Sequence, residues 1–173
     1  MAAVVSPGYL FYLIILSVSI VIGLKDFRRL APSYKTLVYL LVIVLISQLA
    51  STIVVKYKMS NHFVFHALIP FQSIFYGYIF TGLLRTKTGL RSKIPIYIGF
   101  FYALVSITIS LLSARDGIDF PSLNISLLSI LMISSSLLLY YHLINNPSEQ
   151  ALMTQSEFWY ATANLVFFAG SFL

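Results

Sequence analysis

The chain has 173 residues, of which 59% are hydrophobic and only 9% charged, and its mean hydropathy is +0.91. A soluble domain carries about 25% charged residues, so this composition excludes an ordinary soluble fold, which would leave large apolar patches in water. The net charge of +6 argues for membrane topology rather than nucleic acid, because the cations lie in short breaks between apolar runs and not on a basic face with stacking aromatics. Cysteine is absent, which excludes disulfides, thiolate metal sites and cysteine nucleophiles.

About 20 apolar residues span the hydrocarbon core of a bilayer as a helix. Runs of this kind occupy 9–24, 36–55, 63–84, 94–113, 123–144 and 158–173. Barrel strands would be about 10 residues long with alternating polarity, whereas these runs are longer and apolar all round. The predicted fold is therefore all-α: a single polytopic transmembrane bundle over 1–173 with six spans, its consecutive helices antiparallel because the breaks are short. Met1 to Gly8 contains no Lys or Arg, so the first run lacks the basic flank of a signal peptide and is read as a retained helix.

Orientation follows from the basic residues of the breaks. The first and third hold Lys25, Arg28, Arg29 and Lys35, then Arg85, Lys87, Arg91 and Lys93; the second and fourth hold only Lys56, Lys58 and Arg115. The odd breaks are expected on the cytoplasmic side and the N-terminus outside. The last run ends among apolar residues, where a terminal carboxylate at the hydrocarbon edge would be costly; the expectation is a natural chain that continues into a seventh helix.

Small residues mark helix contacts in lipid. Gly99, Ala103, Ser106, Ser110 and Ser113 form one such stripe on the fourth run, and Ser122, Ser126, Ser129 and Ser136 another on the fifth. Tight packing of the fourth helix against the fifth is expected along them, with a hydroxyl-lined conduit as the alternative. Ser73, Gly77 and Thr81 mark the third run.

Larger polar side chains inside a span need partners. They are Gln48, His66, Gln72, Asn124 and Asn164, with His62, His142 and Glu157 at span ends. By depth, Gln48, His66 and Gln72 are expected to share an outward-facing polar pocket between the second and third helices, and His142 to lie within reach of Glu157 at the inner face. His62 and His66 have the i, i+4 spacing of a metal-binding pair, but only Asp116 and Asp119 offer a third ligand on that side, so structural histidines are favoured. A haem pair is argued against because His66 and His142 lie near opposite faces, and a retinal Schiff base because every lysine is in a break. No metal or other cofactor is predicted, and no Ser/His/Asp set or paired carboxylate falls within the spans. Pro70, inside the third run, is expected to kink it beside His66 and Gln72. Trp159 and tyrosines near the span ends fit interfacial belts.

Asn61, His66 and Gln72, with Phe158-Trp159 and the run Phe167-Phe168-Ala169-Gly170-Ser171-Phe172, resemble a set of uncharacterised small polytopic membrane proteins of Bacteroidetes-type bacteria. The resemblance covers roughly half of the chain. It implies a seven-helix bundle in the bacterial inner membrane, similar to bundles that precede cytoplasmic signalling domains in some sensor kinases. It also implies glutamate at the position of Gln72, with Gln48 a second such position, so the amides here remove an ionisable site. The functional expectation is a non-enzymatic, sensor-like or accessory subunit of a membrane complex. Its partners would be the lipid bilayer and other membrane proteins, or a second copy of the chain. A small transporter or channel subunit using Gln48, His66 and Gln72 is the alternative, and a lipid-modifying enzyme using His142 and Glu157 a third reading.

Overall fold

The computed structural model describes residues 6–88, 93–116, 121–145 and 151–172. Asp119, weighed above as an outer metal ligand, lies outside them. All regular structure among the described residues is helical: α1 (Pro7–Lys25), α2 (Pro32–Lys56), α3 (His62–Thr88), α4 (Ile94–Asp116), α5 (Ser122–Asn145) and α6 (Ser156–Phe172), with single 3-10 turns at Phe27–Arg29 and Leu152–Thr154. Helices α1 to α5 are long and apolar enough to cross a membrane. Helix α6 has 17 residues, which gives about 26 Å of rise against a hydrocarbon core of about 30 Å.

The helices begin and end where local chemistry dictates. Pro7 and Pro32 open α1 and α2, at the position where the missing N–H costs no helical hydrogen bond. Ser6 caps α1 by accepting from the Tyr9 N–H at 3.3 Å. Helix α2 stops at a left-handed residue, Lys58 with φ 59°. The Met59 N–H then returns to the Val54 carbonyl and the Lys58 N–H to the Val55 carbonyl, which satisfies two terminal acceptors. Helix α3 runs through Pro70 as one helix.

Helix α3 is the centre of the bundle, packed most extensively on α4 and then on α2 and α5, while α6 packs on α5. Edge-to-face ring pairs Tyr76–Phe168 and Phe80–Tyr160 tie α6 to α3 as well. The core gathers Leu40, Ile79, Phe80, Met132, Leu139 and Ala161, all nearly inaccessible. Helix α1 lies at the outside against α2, where the Tyr9 hydroxyl sits 2.8 Å from Thr52 Oγ1 and 3.1 Å from the Gln48 carbonyl oxygen. Large apolar side chains point outward along the helices, with Phe11 65%, Val21 66%, Phe101 70% and Leu104 66% exposed. Hydrocarbon surroundings accept such a surface and water does not.

The expected pairing of α4 with α5 along their serine stripes is corrected. Helix α4 packs on α3 instead and meets α5 sparsely. The reason is backbone approach. A Cβ on Gly77 would stand 2.7 Å from the Pro95 carbonyl oxygen, and one on Gly99 2.6 Å from the Ser73 carbonyl oxygen. Two facing glycines let α3 and α4 close to backbone contact, which a serine stripe cannot match. On α5, Ser129 donates back to its own helix at the Ile125 carbonyl.

Candidate functional site

Eleven residues separate His66 from Gly77 on α3, and eleven separate Gly99 from Ser110 on α4. Eleven residues are about three helical turns, so in this antiparallel pair the glycine contact and the His66–Ser110 contact share one seam. His66 Nδ1 lies 2.8 Å from Ser110 Oγ. Asn124, from the first turn of α5, donates from Nδ2 to the same Ser110 Oγ at 3.2 Å and to the Ser106 carbonyl at 3.3 Å. The Tyr102 hydroxyl of α4 donates to the Asn124 carbonyl. Ser110 Oγ thus meets both the Asn124 amide and Nδ1 of His66, the direction of the second bond following the tautomer of the ring. Asn124 and Ser106 are fully buried. Asn124 Oδ1 and Ser106 Oγ have no hydrogen-bond partner among the described residues.

This polar clamp joins α3, α4 and α5 at one end of the bundle. It differs from the pocket expected of Gln48, His66 and Gln72, which no described contact draws together. His66 and Gln72 are six residues apart and so about 120° apart around the helix axis. His66 faces α4 on the seam of Ser73 and Gly77. Gln72 is half-buried on another side of α3, and Gln48, on α2, is half-buried with its carbonyl accepting from Thr52 Oγ1 at 2.9 Å. Asn124 was legible as a buried amide but not as a partner of Ser110. The signal available was the repeated eleven-residue interval on two helices.

A serine beside a histidine also has the geometry of nucleophile and base. Ser110 is shared with Asn124, however, and the five acidic residues that could orient an imidazole all lie at or beyond helix ends. The clamp reads as a structural contact. No group of three His, Cys, Asp or Glu side chains with metal-binding geometry occurs among the described residues.

At the opposite end of the same helices, α4 and α5 part to leave a cleft of about 350 Å³. Its floor is Gly77, Phe80, Leu84 and Met132, all buried, and its rim is Ile94, Ile98 and Leu138, which are 63%, 43% and 44% exposed. His142 and Ser135 supply polar atoms on the α5 wall. His142 therefore faces the α4 side of its helix and stacks edge-to-face with Tyr141. Glu157 sits in the first turn of α6, where a carboxylate is favoured by the helix dipole, and accepts from Ser156 Oγ at 3.3 Å; Ser156 Oγ accepts in turn from the Tyr34 hydroxyl of α2.

Comparison of the chain with protein-family models, with curated proteins and with solved structures gives no match. The class of protein is defined by the fold alone: an all-helical chain with five helices apolar enough to span a membrane, consistent with an integral membrane protein.

Proposed function

We propose that the protein is a non-enzymatic membrane module, a sensor-like or accessory subunit of a bacterial inner-membrane complex. In this reading the chain crosses the bilayer six times with its N-terminus outside, and α6 completes the sixth crossing by local thinning of the bilayer, which costs only fractions of a kcal/mol per Å of mismatch. The observation that carries the reading is the clamp of His66, Ser110 and Asn124. A transporter would turn such groups toward water and substrate, whereas here they face one another and fix three helices at one end. At the other end α4 and α5 part, while α3 stays packed on α4 at Gly77 and Pro95. That arrangement suits a module that responds to what sits beside it in the membrane.

The test uses the cysteine-free background. Ser110→Cys and Ser106→Cys, each nearly isosteric, are exposed in native membranes to a small, charged, water-soluble thiol reagent from either side. The expected result is labelling at least tenfold slower than at Ser60→Cys, an exposed residue of the α2–α3 connection. Labelling of Ser110→Cys at the rate of Ser60→Cys would establish a water path through the clamp and replace this reading with the transporter or channel alternative.

A further inference from the structure

We propose that the connection between α1 and α2 binds the phosphate of an anionic phospholipid, with Arg28 and Arg29 as its principal ligands and Lys25 and Lys35 beside them. The inference requires α1 and α2 to cross a membrane, as their length and apolarity allow. It does not rest on the non-enzymatic reading above.

The backbone of this connection is fixed. Asp26 ends α1, and the 3-10 turn Phe27–Arg29 closes through two bonds. The Arg29 N–H donates to the Asp26 carbonyl at 2.9 Å and the Leu30 N–H to the Phe27 carbonyl at 3.3 Å. Phe27 folds back on α2. Its ring meets Tyr39 edge-to-face at 5.4 Å, and Lys35 Nζ lies over it at 5.7 Å, within cation–π range. Lys35 and Tyr39 are about one turn apart on the same face of α2, so that face seats the ring. Successive residues of a 3-10 turn point about 120° apart. With Phe27 turned onto α2, Arg28 and Arg29 are directed away from it, and both are exposed. Lys25 is exposed as well, and the contact with Phe27 brings Lys35 back to the turn.

Charge and position select the occupant. Four cations stand here against one carboxylate, the exposed Asp26. The Glu157 carboxylate reaches α2 through Ser156 and the Tyr34 hydroxyl. Tyr34 and Lys35 are consecutive and point about 100° apart, so that carboxylate belongs to the α6 side of α2. Guanidinium groups match phosphate oxygens with paired N–H donors. The turn also tops a hairpin at the perimeter of the bundle, where α1 packs chiefly on α2. Next to it Val21, Ile22 and Leu24 are 66%, 62% and 55% exposed. A phospholipid held at the turn lays its acyl chains on this apolar surface, which a free phosphate or an acidic protein segment would leave bare. Each Lys or Arg near a membrane surface favours anionic over neutral lipid by about fivefold.

The test places a reporter beside the turn. In the double variant Trp159→Phe, Leu24→Trp, the new indole is the sole tryptophan, since the chain has one. The protein is reconstituted in phosphatidylcholine vesicles in which a minor fraction of lipid carries brominated chains, either phosphatidylglycerol or phosphatidylcholine. The expected result is quenching about fivefold stronger by the phosphatidylglycerol. Adding Arg28→Gln with Arg29→Gln brings the ratio close to unity. Adding Lys56→Gln with Lys58→Gln, exposed residues at the other end of α2, leaves it unchanged. Asp26→Asn, which removes the opposing charge, raises the ratio, a gain that a misfolded variant would not give. Equal quenching by both lipids in the parent variant overturns the proposal, and so does a ratio that Asp26→Asn fails to raise. An equal loss from the Lys56 and Lys58 pair would reduce the effect to net charge and overturn the site. Absence of a lipid preference, with Arg28→Cys cross-linking to a second protein in native membranes, would make the turn a protein contact instead.

Discussion

Gly99→Ala lowers the unfolding free energy by about 2 kcal/mol, within the range of roughly 1–3 kcal/mol for overpacking a tight interface, and Gly77→Ala does the same. The added methyl at either position meets backbone, not a side chain that can rotate away. For Gly77 the nearest atoms are the Pro95 carbonyl oxygen at 2.7 Å, Ile96 Cα at 3.1 Å and Gly99 Cα at 3.3 Å. Relief requires α3 and α4 to separate along the seam that also carries the 2.8 Å contact between His66 and Ser110. Gly23→Ala is the graded comparison, since its Cβ meets only the Val38 side chain. Gly170→Ala meets nothing within 4 Å and leaves stability unchanged. Thermal or denaturant unfolding in mixed micelles ranks the four. Equal midpoints for Gly99→Ala and Gly170→Ala would refute the glycine seam as the organising contact of the bundle.

Asn124→Leu costs about 2 kcal/mol. Hydrogen bonds between membrane helices average about 0.6 kcal/mol and reach about 1.7. Asn124 makes two such bonds to α4, at the Ser106 carbonyl and Ser110 Oγ, from a fully buried position where a branched side chain of different shape adds strain. Asn164 provides the control. It has the same amide but donates only to the Tyr160 carbonyl of its own helix, at 2.8 Å, so Asn164→Leu changes stability by less than about 0.5 kcal/mol. Because His66, Ser110 and Asn124 form one chain of contacts, His66→Ala combined with Asn124→Leu is less destabilising than the two separate effects together. Additive effects in that cycle, or equal costs for Asn124→Leu and Asn164→Leu, would contradict the clamp.

Much of the fold was legible because hydropathy reports depth in the membrane. Each of the six apolar runs became one helix, with ends displaced by up to four residues where local chemistry rules. The second run was bounded at 36–55, whereas the helix is Pro32–Lys56, since Pro32 starts a helix before the apolar stretch does. The site was less legible because hydropathy does not report rotation about a helix axis. Gln48, His66 and Gln72 were grouped by depth, yet His66 turns toward α4 and its partner is Ser110, forty-four residues away in sequence. Small-residue stripes were visible on three helices, but not which two would meet. Gly77 and Gly99 decided that, through a backbone approach that composition cannot distinguish from a run of serines. The cleft was not legible at all, since it arises from the divergence of α4 and α5 and from no motif.

In the proposed topology hydrocarbon surrounds the chain, and its helices thread a bilayer with alternating connections on opposite sides. Single cysteines at Asp26, in the exposed α1–α2 connection, and at Ser60, in the exposed α2–α3 connection, test it directly when whole cells are treated with a membrane-impermeant maleimide. Ser60→Cys is expected to label in intact cells, and Asp26→Cys only after permeabilisation. Labelling of both from the same side would contradict a membrane-crossing α2, and with it the account of the bundle.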